Sequence, residues 1–299
     1  MPLNRVTAGR ANAGWPCECG CAQRAPRYPT DLTDAQWAAL EPLLPVMLSQ
    51  TELGGRPEKH WRRTMVDALL YLVDNGVKWR ALPADFPPWR TVYGLHARWK
   101  QDGVLADITD RLRAAVRTAE GRDPEPSAAI VDSQSVRESA EGVVPAATSG
   151  YDGHKKVNGR KRHLLVDTLG LLIAVAASPA NVPDRHGAAV LLRRARRRGR
   201  RRLALTWGDR GYEGQDWVEW AQRELGIAIE VIRRDPRGRD PAFTRNLPRR
   251  WVVERTNAWI SRRRRCARDY ERLSEHHEAM VYWAAILQMT RRAAKTAAW

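Results

Sequence analysis

The sequence predicts an α/β protein, a mixed sheet flanked by helices and preceded by a small all-helical region. Three observations carry this. Apolar residues recur at helical spacing through residues 28–120, and short apolar runs with a β-branched bias begin after residue 127. Those runs come first as a local pair and then alternate with helical stretches, the pattern of a mixed sheet with helices packed on it.

Taken in order, residues 1–27 are rich in Gly, Ala, Pro and Arg, lack a hydrophobic period, and are expected to form a flexible leader. Cys17, Cys19 and Cys21 in this leader do not have the spacing of structural zinc ligands, so no metal site is assigned to them. A first helix opens with Asp31 or Thr33 as N-cap, carries Trp37, Leu40, Leu43 and Leu44, and closes at Pro45. A second spans Trp61 to Asn75 and stops at Asn75-Gly76. After a Pro-rich turn at 81–88, Thr91–Lys100 and Val104–Arg117 read as two helices joined at Asp102-Gly103. They form a helix-turn-helix-like pair on which Arg98, Lys100 and Arg113 are candidate DNA contacts. Residues 121–127, with two prolines, read as a linker.

The second region opens with a strand at Ala128–Val136. A hairpin of residues 163–168 and 171–177 turns at Leu169-Gly170. Asp184–Arg198 is a helix, Leu203–Trp207 a strand, Gln215–Leu225 a helix and Ile227–Ile232 a strand. Long helical patterns follow from Arg249 to Asp269 and from Ser274 to Lys295. Trp251, Trp259 and Trp283 on them are expected in the core.

Composition limits the function. The 299 residues are 43% hydrophobic and 28% charged, which is globular rather than disordered. Lys and Arg number 51 against 34 Asp and Glu, a surplus of 17, and all but seven of the basic residues are arginine. Arginine pairs bidentately with phosphate and keeps its proton, so the surplus points to a polyanionic partner. Codon preference accounts for Arg in place of Lys but not for the excess. No apolar stretch approaches the roughly 20 residues of a membrane span, since the best run, Leu164–Ala177, is broken by Asp167 and Gly170. Four cysteines in a chain of this size make no disulfide framework, and the expected location is the cytoplasm, in association with the nucleoid.

Three acids stand in unusual settings. Asp132 interrupts the apolar run AAIVDSQSV, Asp209 ends the strand LALTW, and Glu254 lies in RRWVVERTNAWI. A carboxylate is costly to bury alone, and a divalent cation shared by several would offset that cost. Basic residues cluster at Gly150–Arg162, read as a loop in which Lys155, Lys156, Arg160, Lys161 and Arg162 contact DNA backbone. A second run, Arg193–Arg202, ends a helix, where arginine also complements the helix dipole. Arg262 and Arg263 open a third, running to Arg265 with Arg268 beyond, on the helix that carries Glu254. The histidines make no zinc spacing and receive no catalytic role.

Several stretches together resemble the DDE transposases of bacterial insertion sequences, most closely the family numbered five in the four/five superfamily. They are YPTDLTDAQWAALEPLLP, IVDSQSV, GYDGHKKVNGRKRHLLVDTLGLLIAV, PANVPDR, WGDRGYEG and RRWVVERTNAWISRRRRCARDYER, in the family's order from Tyr28 to Arg272. The resemblance implies that residues 128–299 form an RNase H-like catalytic domain with Asp132, Asp209 and Glu254 as its acidic triad. It implies two Mg²⁺ or Mn²⁺ ions held by the three acids, and cleavage and joining of DNA strands. It also implies a DNA-binding role for residues 28–120, double-stranded DNA partners in the element's terminal inverted repeats and target, and a homodimer in the DNA complex. Arg250 matches the family's Arg four residues before the Glu and is carried over as a DNA contact. The family's Tyr three residues earlier is Leu247 here, and its Lys seven after the Glu is Ser261. The interval from Asp209 to Glu254 is too short for a large inserted domain. The residues by themselves leave open a nuclease without strand joining and a DNA-binding protein that no longer catalyses.

Overall fold

The computed structural model describes residues 24–52, 54, 57–140, 142–232 and 241–296. Most of the expected leader, with Cys17, Cys19 and Cys21, lies outside the described residues. The helical region holds α1 (Asp34–Leu40), α2 (Arg62–Asn75), α3 (Trp89–Gln101) and α4 (Val104–Ala119). Thr33 caps α1 in a reciprocal box with Gln36, which satisfies two otherwise orphaned N–H groups. Gly76 ends α2 in the left-handed conformation, and Gly103 makes the turn between α3 and α4 in the same way.

Next come β1 (Ala128–Arg137), β2 (Gly150–Asp152), β3 (Val157–Asp167), β4 (Leu172–Pro179), α5 (Asp184–Arg197), β5 (Leu205–Gly208), α6 (Gln215–Leu225) and β6 (Ala228–Val231). The chain closes with α7 (Pro241–Ser261), the short α8 (Arg264–Ala267) and α9 (Ser274–Thr296). β1 is the middle strand, antiparallel to β3 on one side and parallel to β5 on the other. β6 extends the sheet beyond β5 in parallel, while β4 and β2 share the outer edge of β3. The result is a mixed sheet flanked by helices, consistent with the RNase H-like expectation.

Side chains alternate across this sheet, so each face has its own core. Ala129, Val131, Leu165 and Ile173 pack under α5 and α6. Ile130, Leu164, Val166 and Val175 face the other way, into a larger core shared with α2, α3, α4 and α9. Trp283 of α9, fully buried as expected, stacks on Trp99 of α3 at 5.9 Å between ring centroids and donates its indole N–H to His96 Nδ1 at 3.1 Å. The helices before residue 121 therefore have no separate core, and the residues 121–127 read as a linker join parts of one hydrophobic mass.

Three further expectations are corrected. The basic segment 150–162 is not a loop but β2 and the first half of β3, which is why β3 starts six residues earlier than the apolar pattern suggested. The helix of Glu254 ends at Ser261, and residues 262–263 break it before α8, so Arg262 and Arg263 do not continue its face. Trp251 is 56% exposed rather than core, with the Arg255 guanidinium 4.5 Å from its ring. Among the described residues no helix is long and apolar enough to cross a membrane.

Candidate active site

The parallel pairing of β1 with β5 sets Ile130 beside Trp207. Two residues further along each chain stand Asp132 and Asp209, on the same sheet face because side chains repeat every second residue. Asp209 has just left β5. Its Oδ1 accepts the N–H of Gly211 at 2.9 Å, which starts a single 3-10 turn and holds the acid at the strand end. α7 crosses this face. Asn257 Nδ2 donates to Asp132 Oδ2 at 2.7 Å, and Glu254, one turn earlier, is exposed on that side.

The electrostatics follow from this proximity. Burial pushes the Asp132 carboxyl up to about 6; Asp209 and Glu254 push it in the same direction, while the Ser133 N–H and the Lys155 ammonium oppose the rise. Like charges gathered on a half-buried acid are costly unless a cation is shared among them. The three acids fit a hard divalent cation by donor type. Among the described residues, no three His, Cys, Asp or Glu groups stand within gripping distance of one ion as arranged. Asn257 occupies one lobe of Asp132.

Behind the sheet lies a support that the sequence pattern did not reveal. Asp184, the first residue of α5, accepts from Ser133 Oγ at 2.8 Å and pairs with Lys161 Nζ at 2.9 Å. A Cβ on Gly211 would sit 3.0 Å from Asp184 and 3.1 Å from Asp209, so both acids border that turn. Tyr212 is fully buried here, its phenol raised well above its ordinary value by burial and by Asp132, Asp184 and Asp209. Asp184 and Asn257 were both missed. Asn257 could have been found from its position one turn after Glu254, and Asp184 from its place in the stretch PANVPDR that shares in the family resemblance.

The basic residues divide. Lys155 and Lys156 are exposed at the β2–β3 turn, which Asp152 holds by accepting the N–H groups of His154 and Lys155. Lys155 reaches Ser133 O at 3.3 Å, beside Asp132. Arg160 is fully buried, pairing with Asp269 at 3.0 Å and donating to the carbonyls of Glu271 and Arg272. Arg162 is also fully buried, and Lys161 is nearly so on the opposite face. A side chain enclosed on a strand cannot reach a DNA backbone on the surface, so the expectation of direct phosphate contact is withdrawn for Arg160, Lys161 and Arg162. Arg262 is exposed, while Arg263 pairs with Asp74 of α2. The side chain of Arg250 lies outside the described residues.

Of the helix-turn-helix candidates, Arg98 is exposed, but Arg113 is buried, donating to Leu172 O at 2.8 Å and Asp110 at 2.6 Å. α4 thus spends its basic face on the interior. In the run 193–202 Arg193, Arg197, Arg201 and Arg202 are exposed, while the other four arginines are half-buried in internal contacts. Arg194 pairs with Glu278, Arg198 with Asp107 and Asp110, and Arg196 donates to the carbonyls of Leu203 and Leu225.

Comparison with known proteins agrees with this geometry. Residues 123–289, more than half the chain and all three acids, match a family model described as transposase DDE domain. Residues 32–109 match one described as putative transposase of IS4/5 family. The chain is 30% identical over 129 residues to a putative transposase for insertion sequence element IS402 of Burkholderia cepacia, an alignment covering 41% of this chain and 59% of that protein. It is also 30% identical over 112 residues to an IS402 uncharacterized 16.2 kDa protein of the same organism, covering 36% of this chain and 72% of that protein.

Proposed function

The chain belongs to the DDE transposase family, of the IS4/5 type, and from that premise we propose that it binds the ends of an insertion sequence and catalyses metal-dependent DNA strand cleavage and strand transfer. The observation that carries this reading is the meeting of Asp132 and Asp209 at the end of the parallel β1–β5 pair, with the helix of Glu254 laid across them. Asp132, Asp209 and Glu254 would hold two divalent ions, Mg²⁺ or Mn²⁺, which when bound polarise the phosphodiester and favour in-line displacement. The protein's own residues prepare that site. β1 and β5 fix the spacing of the two aspartates, the Asp209–Gly211 hydrogen bond orients one of them, and Asn257 orients the other. Lys155 and Lys156 supply positive charge at the rim, where a DNA backbone would approach. The DNA substrate would be an element's terminal inverted repeats and then target DNA, engaged by two copies of the chain.

Asp132→Asn keeps the side chain's shape but removes a charge. The variant is expected to retain DNA binding in a mobility-shift assay and to lose metal-dependent cleavage of an end-bearing duplex by at least about a thousandfold. Undiminished cleavage by the purified variant overturns the assignment. A precleaved end that yields no joined product identifies a nuclease instead.

A further inference from the structure

Next to the carboxylates is a second feature that their chemistry does not account for. A cleft of about 300 Å³ opens between β1, the start of β3, the end of α7 and α8. It borders the carboxylate site on both sides. Gln134 lies two residues beyond Asp132 on the same strand face, and Ser261 lies seven residues, two helical turns, beyond Glu254. Three arginines line the cleft, Arg137, Arg162 and Arg268, and no acidic residue does.

Arg162 is the telling member. Its guanidinium is fully buried, yet among the described residues it pairs with no carboxylate. It donates to Cys266 O at 3.1 Å, to Ser261 Oγ at 3.1 Å and to Gln134 Oε1, while Nε is enclosed with no hydrogen-bond partner. The other buried guanidiniums of the molecule follow a different rule: Arg113, Arg117, Arg160 and Arg265 each pair with an acid. The anion that attracts it, Asp269, is already held by Arg160 and His277, so Arg162 is a buried cation with no carboxylate of its own in contact, a costly arrangement, and it stands behind two exposed arginines. Arg137 and Arg268 are exposed at its mouth.

We propose that this cleft holds a backbone phosphate of the DNA strand whose neighbouring phosphodiester lies at Asp132, Asp209 and Glu254. The assignment of DNA rests on the function proposed above; the anion site itself does not. Arg162 forms the floor and holds Gln134 and Ser261 in place, and Arg137 and Arg268 close on the phosphate from the solvent side. Arg162 is thus not a surface contact in a loop. Its role here is as an interior residue facing a cleft.

The test uses the full chain and two paired variants that each remove two exposed arginines. Arg137→Gln with Arg268→Gln empties the cleft mouth, and Arg197→Gln with Arg201→Gln lowers the net charge equally at the end of α5. Two probes are used, inorganic phosphate read by thermal shift and a random-sequence duplex with a single-stranded 3′ overhang read by fluorescence anisotropy across a salt series. Phosphate is expected to raise the melting temperature of the wild type and the α5 pair but not of the cleft pair. The cleft pair should bind the duplex about tenfold more weakly than the α5 pair, with the salt slope reduced by about 1. Equal responses of both pairs to both probes overturn the proposal and leave DNA binding standing. If phosphate acts through Arg137 and Arg268 while the wild type binds no duplex, the DNA assignment falls together with the functional reading.

Discussion

At Asp67 of α2 a carboxyl is 5% exposed and accepts the Leu32 N–H at 2.9 Å. Burial pushes it up to about 7; nearby Asp31 adds to the rise, and the Leu32 hydrogen bond with Arg63 and Arg24 opposes it. An unfolded aspartate titrates near 3.9, so between about pH 4 and 7 the folded chain keeps a proton that the unfolded chain has lost. Stability therefore falls as pH rises through that window and levels off above it. Asp67→Asn is a neutral replacement that can still accept from Leu32. Its melting temperature relative to wild type is expected to climb from pH 4 to pH 7 and then hold, and a difference independent of pH would refute the account. His163, fully buried against Ser178 Oγ at 2.9 Å, is pushed down to about 4 by burial and takes no part in titration near neutrality.

Between elements, α5 and β3 approach one another closely. A Cβ on Gly187 would stand 2.3 Å from the His163 ring, so α5 lies against the strand only because that position has no side chain. Gly187→Ala is expected to push α5 off the sheet and cost about 1–3 kcal/mol, measured by chemical denaturation. Asp184 begins this helix and touches Ser133 and Lys161, so the same variant should lower cleavage activity more than its stability loss explains. Wild-type stability in Gly187→Ala would mean that the helix can shift at no cost. This contact was not legible. Helices, strands and their order were readable from periodicity, because burial on one face imposes it. The approach of two elements to within a methyl group depends on their mutual placement, which no local spacing encodes. The extension of β3 was missed for a related reason: Arg160 and Arg162 look like surface residues until Asp269 and the carbonyls of Cys266, Glu271 and Arg272 surround them.

Over the whole molecule, α9 joins the helical region to the sheet, running beside α1, α2, α3 and α4 and against β4. Arg117 of α4 pairs with Asp167 at the β3–β4 turn at 2.6 Å, an ion pair buried on both sides. A chain beginning at residue 121 would expose the face formed by Ile130, Leu164, Val166, Ile286 and Leu287. It is expected to be insoluble or molten, and the full chain to unfold in one transition seen alike by tryptophan fluorescence and far-ultraviolet circular dichroism. Two separated transitions would restore an independent N-terminal domain. The charge surplus is redistributed by the same packing. Many arginines are tied to acids within the protein, so the cations facing a DNA partner are fewer than the composition suggests.

The sequence by itself determined the α/β class, the order of elements, the surplus of positive charge and the unusual setting of the three acids, because hydrophobic period and a charge set in an apolar run are local properties of the chain. It also carried the family, through motifs running from Tyr28 to Arg272. Tertiary structure alone decided which basic residues are solvent-facing, that the N-terminal helices share a core with the sheet, and that Asn257 and Asp184 stand beside the triad. Those outcomes depend on contacts between distant residues, 125 positions apart in the Asn257–Asp132 hydrogen bond and 189 in the Arg263–Asp74 pair. Burial converts an arginine from a phosphate ligand into an interior counter-ion, and whether a position is buried is settled only when distant segments close over it.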